Sequence, residues 1–151
     1  MYSMRIITIL ACALALLSCH YDVPLTAEPT RAADARLAGT WTMTAPEQDE
    51  KMDIRLYDDR HYVVAYNGDL YRAFHSDVAG LQLMSVQNLN DRERKWVFLE
   101  WKLSEDGKRL TIRAVRTEVV PETNGREGLL KLIEANRTNP ALFSEPGVYT
   151  R

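Results

Sequence analysis

The chain has 151 residues, 26% of them charged, with 19 basic against 21 acidic side chains and a formal charge of −2. That length suits one domain, and the near-neutral balance excludes the strongly basic face that nucleic-acid binding uses. The two cysteines, Cys12 and Cys19, both lie near the N-terminus, so the rest of the chain has no cysteine for a disulfide and its stability must come from an apolar core.

Arg5 is the only charge before Cys19, and it precedes an apolar run from Ile6 to Leu17. The run is too short to cross a ~30 Å hydrocarbon layer, which needs roughly 20 apolar residues in a helix. A basic start, a short apolar middle and a small residue at the end make residues 1–18 a secretory signal peptide. Leu16-Leu17-Ser18-Cys19 resembles the lipobox of bacterial lipoproteins. The resemblance implies cleavage before Cys19, acyl chains on that cysteine, and a lipid-anchored place in the cell envelope. His20 stands where an Asp is absent, which by the same resemblance implies the outer membrane, facing the periplasm, in a Gram-negative source. Two or three acyl chains hold where one binds only marginally. Cleavage would leave 133 residues with 18 basic and 21 acidic side chains, a formal charge of −3.

Residues 19–36 have no hydrophobic period and contain Pro24 and Pro29. They read as an acylated tether that lifts the domain off the membrane, with a short helix an option from Arg31 to Leu37. The domain is expected over 37–151. Its first strand is Leu37–Thr44, with Trp41 and Met43 on one face. Met52, Ile54 and Leu56 alternate with Asp53, Arg55 and Tyr57 in a second strand, and Asp58-Asp59-Arg60 turns the chain.

Asn67-Gly68 predicts a two-residue type I′ hairpin turn, because both central positions need positive φ. Tyr66 then faces Asp69, Val64 faces Tyr71, and Tyr62 faces Ala73. The other face carries His61, Val63, Ala65, Leu70, Arg72 and Phe74. Both faces are partly apolar, so the core side stays open. Leu81–Gln87 reads as another strand and Asn88–Arg94 as a polar loop.

Asp106-Gly107 predicts a second hairpin joining Lys95–Ser104 to Arg109–Thr117. A two-residue turn pairs Leu103 with Leu110, Trp101 with Ile112, and Leu99 with Ala114. The opposite face pairs Glu100 with Arg113 and Lys102 with Thr111, and such opposed pairs contribute roughly 0.2–1 kcal/mol each. A slip of one residue would turn the apolar row to water. Val97, Leu99, Trp101, Leu103, Leu110, Ile112 and Ala114 are therefore the expected core, or the lining of a ligand cavity. After Pro121, Asn124-Gly125-Arg126-Glu127 reads as a capping box. It opens a helix with an apolar stripe of Leu129, Leu130, Leu132 and Ile133 that ends at Asn136 to Pro140. About ten residues cannot hold a helix alone in water, so it must dock on the mouth or wall of the sheet structure. Gly147–Arg151 suggests a closing strand.

Leu37-x-Gly39-x-Trp41 at the entry to the first strand resembles the opening of lipocalin-like barrels. The resemblance implies a mainly β fold: a small antiparallel barrel of seven or eight strands with one packed α-helix near the C-terminus. It also implies that Gly39 and Trp41 help close the barrel base, beneath a basic residue from a late strand, for which Arg151 is the candidate.

Catalytic and metal chemistry find little footing. His75-Ser76-Asp77 has the residue types of a hydrolase triad, but neighbours on a strand point to opposite faces and cannot converge. Asp58, Asp59, His61 and His75 match no dedicated metal spacing. Arg92-Glu93-Arg94-Lys95 reads as a charged loop entering a strand. No enzymatic activity, cofactor or metal is expected. The leading expectation is a non-enzymatic envelope module that binds a protein partner or serves an assembly. The alternative is a lipocalin-type carrier of a small apolar ligand.

Overall fold

The computed structural model describes residues 21–45, 48–123 and 125–151. Strands β1 (Gly39–Ala45), β2 (Gln48–Leu56), β3 (Tyr62–Tyr66), β4 (Asp69–His75), β5 (Leu83–Asn88), β6 (Trp96–Leu103) and β7 (Arg109–Ala114) are followed by helix α1 (Arg126–Asn136) and strand β8 (Gly147–Thr150). Each strand pairs antiparallel with the next, and β8 pairs back onto β1, closing an eight-stranded barrel. Closure leaves no free sheet edge.

The two hairpins set the register. Asn67 and Gly68 have φ of 51° and 80°, and Tyr66↔Asp69, Val64↔Tyr71 and Tyr62↔Ala73 are opposed as the turn dictates. The second hairpin has the expected pairs Leu103↔Leu110, Trp101↔Ile112 and Leu99↔Ala114. Its turn is longer than two residues. The Gly107 N–H donates to the Ser104 carbonyl at 2.9 Å, Gly107 takes φ of 71°, and Ser104 and Arg109 are tied across a loop of 105–108. The loop is longer by an even number of residues, so the same side chains stay inward. On the outer face Glu100 is buried and receives two hydrogen bonds from Arg113, at 2.8 and 2.5 Å.

Inward-facing residues form one apolar cluster, which includes Trp41, Ile54, Tyr62, Ala73, Met84, Leu99, Trp101 and Leu110. A second cluster lies on the outer wall of β4, β5 and β6, where Phe74, Leu83, Trp96 and Phe98 are covered by other parts of the chain. The open question at the first hairpin is thereby answered: Tyr62, Val64 and Ala73 face inward, and Phe74 faces an outer core of its own.

Part of the outer cover is the stretch expected to be a tether. From Tyr21 onward it is a packed strap. Tyr21 and Leu25 are fully buried, Tyr21 stacks on Phe98 with ring centroids 4.3 Å apart, and its hydroxyl donates to the Val120 carbonyl at 2.7 Å. The strap runs down the wall. Tyr21 exchanges backbone hydrogen bonds with Trp96, the Leu25 N–H reaches Ser85 Oγ, and the Thr30 N–H reaches the His75 carbonyl. It then crosses under the barrel through a 3₁₀ turn, Ala35–Leu37, and enters β1. The Pro-containing text hid this because its two apolar anchors are four residues apart without a strand or helix period.

Helix α1 docks on the same outer wall through Leu129 and Ile133, with Leu130 and Leu132 half-buried. Its start differs from the expected capping box. Gly125, at φ 113°, occupies the cap position without a side-chain cap bond, and Asn124 lies outside the described residues. Thr123 packs against Gly128, where a Cβ would come within 2.7 Å of Thr123 Oγ1.

Candidate functional site

The barrel has two unlike ends. At the base, Trp41 is fully buried and its indole N–H donates to the Leu37 carbonyl at 2.9 Å. The Arg151 guanidinium lies 4.4 Å from the centre of the Trp41 ring. It also donates to three backbone carbonyls, those of Gly107, Ala38 and Arg36, at 2.8, 2.7 and 2.7 Å. One side chain thus ties the β6–β7 hairpin, the entry to β1 and the end of the strap beneath a tryptophan. A cation over an aromatic face contributes about 0.5–2 kcal/mol depending on exposure. Gly39 makes room for it: at φ 143°, a Cβ there would sit 2.9 Å from Arg151 Nη1.

Just above the base is a polar chain inside the apolar wall. Asp34 N–H donates to the Tyr62 hydroxyl at 2.5 Å, and that hydroxyl is 2.8 Å from His75 Nε2. The phenol oxygen accepts from Asp34; when it gives its own proton to Nε2, the imidazole proton sits on Nδ1. His75 is 2% exposed, and burial, aided by the nearby Arg31 charge, pulls its pKa down to about 4. It is therefore neutral at pH 7. His75 Nδ1 and Trp101 Nε1 are both buried and have no hydrogen-bond partner among the described residues. Leaving such a group unpaired costs about 1–3 kcal/mol; Trp101 Nε1 is a donor, and so is His75 Nδ1 in the tautomer whose Nε2 accepts from Tyr62.

At the far end the inward face opens. Met43, Tyr66, Tyr71, Val97 and Ile112 are only half-buried, whereas Trp41, Ile54, Tyr62, Ala73 and Leu110 toward the base are fully buried. The Tyr66 hydroxyl donates to Glu50 Oε2 at 2.5 Å, and burial with that carboxylate beside it holds the phenol above its usual range. Tyr71 is raised by burial and by Asp69, whose carboxylate accepts from Asn88 Nδ2. The interior is therefore apolar, with tyrosines and acids toward one end and two unpaired N–H groups among its buried side chains.

The residues singled out from sequence distribute as follows. Leu99, Trp101 and Leu110 are buried in the interior, Val97, Leu103 and Ile112 line it half-buried, and Gly39 and Trp41 are at the base. Cys19 lies outside the described residues. His75, Ser76 and Asp77 point apart: His75 inward to Tyr62, Ser76 Oγ to Thr26 and Ser85 under the strap, and Asp77 to Arg31. His61 sits outside the wall, bonded to Asp58 at 2.9 Å and edge-on to Phe74, with the wall between it and His75. Among the described residues no group of three His, Cys, Asp or Glu side chains gathers as a metal site, and no helix is long and apolar enough to cross a membrane.

Sequence reasoning missed Tyr62, His75 and Glu50 as site residues. The signal for His75 was present: the Asn67-Gly68 register opposes Tyr62 to Ala73, and His75 is two residues further on the same face. Outside the barrel, Val78, Ala79, Leu130 and Ala135 line a surface groove of about 560 Å³ beside α1, flanked by Glu127, Lys131 and Glu134. No protein family, curated protein or solved structure matches the chain.

Proposed function

We propose that the chain is a lipid-anchored, non-enzymatic envelope module whose lipocalin-like barrel takes up a small, largely apolar ligand bearing an acceptor oxygen. The observation that carries this is the pair of buried nitrogens without a partner, His75 Nδ1 and Trp101 Nε1, beside the apolar barrel interior. A carbonyl or ether oxygen would satisfy one or both, while the walls take up the apolar remainder. Binding sites of this kind are mostly apolar with a few placed polar groups. The neutral state of His75 favours an uncharged acceptor. By this reading the acyl chains on Cys19 keep the carrier at the membrane, and no cofactor or metal takes part.

Native mass spectrometry of the mature protein, purified gently from its own envelope, tests this. The expected result is an added mass of a few hundred daltons that is lost on denaturation and diminished in Trp101→Phe. A bare mass, with no quenching or shift of tryptophan emission by a panel of apolar probes, would refute it.

A second reading, a protein-binding module, is favoured by the groove beside α1, where Leu130 is half-buried in an apolar lining. An apolar side chain of an envelope protein would fill it. A crosslinked partner lost in Leu130→Glu, together with an empty barrel, would choose this reading over the first.

A further inference from the structure

Tyr21 is pinned at the open end of the barrel. Its N–H and carbonyl bond to Trp96 at 2.7 and 2.8 Å, and Trp96 is the first residue of β6, at the opposite end of that strand from Leu103 and the base. Asp22 beside it is ion-paired to Lys95. Cys19 precedes Tyr21 by two residues, which at full extension span about 7 Å. Acyl chains on Cys19 would therefore start no more than about 7 Å from Tyr21, whereas β6, eight residues long, puts the base roughly 20 Å or more away after allowing for strand tilt.

We propose that the lipid-anchored barrel stands with its open rim against the bilayer and its Trp41–Arg151 base away from it. This rests on acylation of Cys19. The strap reinforces the orientation because it is fastened along its length, at Leu25 to Ser85 and at Thr30 to His75, and so cannot pay out as a loose leash. The rim carries groups that suit a headgroup layer: Leu70 is 48% exposed on the β3–β4 hairpin, and Arg92 and Arg94 are exposed on the loop before β6. Asp91 and Glu93 lie in the same loop and Glu50 and Asp69 at the same end, so charge does not draw the rim to anionic lipid and the anchor does the holding.

The test uses the intact acylated protein, whose sequence has no cysteine after Cys19. Leu70→Cys at the rim and Lys108→Cys at the base each receive a fluorophore. The proteins are reconstituted on phosphatidylethanolamine–phosphatidylglycerol vesicles that carry a headgroup spin label. The expected result is several-fold stronger quenching at position 70 than at 108. Equal quenching would mean that the barrel lies on its strap-covered wall, and stronger quenching at 108 would invert it; either overturns the proposal. The intact mass is measured first: a chain without acyl groups overturns both the anchor and the orientation, while an acylated chain with the wrong quenching order overturns the orientation alone.

Discussion

The inner and outer apolar clusters are built differently. Inside, every buried residue but Leu37 comes from a strand, and hairpin register fixes neighbours such as Leu99 opposite Ala114 and Tyr62 opposite Ala73. Outside, the wall of Phe74, Leu83, Trp96 and Phe98 is covered by pieces far apart in sequence, with Tyr21 bonded to Val120 and Arg126 to the Pro24 carbonyl. The inner cluster follows from local pairing repeated around a circle. The outer one forms only when the two ends of the domain meet on the wall, so it reports whether strap, barrel and helix act as one cooperative unit.

The largest expected effect breaks that unit. Tyr21→Ala removes a fully buried aromatic ring and should destabilise the protein by about 3–5 kcal/mol, read by urea denaturation with both tryptophan emission and far-ultraviolet dichroism. If the two signals separate, or stability is unchanged, the outer cluster is an accessory layer and the barrel stands alone.

Next in size is a pH dependence of the inner cluster. The folded His75 pKa of about 4 is below the ordinary value of 6.5, so between pH 6.5 and 4 the unfolded chain binds a proton that the folded chain refuses. Stability therefore falls as pH drops through that window, by on the order of 2–3 kcal/mol. His75→Phe should flatten this part of the stability profile. An unchanged slope would place His75 in contact with water.

Smaller again is the base. Arg151→Ala removes the cation over Trp41 and three backbone hydrogen bonds at a partly exposed site, with an expected loss of about 1–2 kcal/mol. Lysine cannot reproduce three divergent donors, so Arg151→Lys should recover little, as thermal melting would show. The smallest effect belongs to the rim. Tyr66→Phe deletes its bond to Glu50 and should cost at most about 1 kcal/mol. Because it leaves the inner wall apolar, probe binding should persist in this variant while failing to respond to His75→Phe only if the ligand sits at the rim.

Much of the fold was legible in advance where a physical constraint acts over a few residues. Asn67-Gly68 determined its register because two adjacent positions accept positive φ, and the Leu99–Leu110 row followed from period-two alternation. The Asp106-Gly107 turn was misjudged in length yet kept its register, since alternation depends only on parity. The strap was misread because burial of Tyr21 and Leu25 requires a wall more than fifty residues away in sequence, and nothing near them announces it. The helix was expected, but its choice of the outer wall over the mouth depended on Phe98 and Leu83 facing out. The site was half legible: Trp101 stood in the expected lining, while His75 was seen only as a member of an improbable triad and of an improbable metal set.

By itself the sequence determined the pairing within two hairpins, the inward row of β6 and β7 and the need for the helix to dock, because each rests on backbone geometry or side-chain period over a few residues; the place of Gly39 and Trp41 came from a resemblance. Tertiary structure decided that Arg151, which the resemblance had named as a candidate, lies over Trp41, that the face shared by Tyr62 and His75 is the buried one, and that the chain ahead of β1 is fastened to the wall from the rim downward. Tyr62 and His75 are 13 positions apart on one hairpin, whereas Arg151 and Ala38 are 113 apart and come within reach only when the barrel closes.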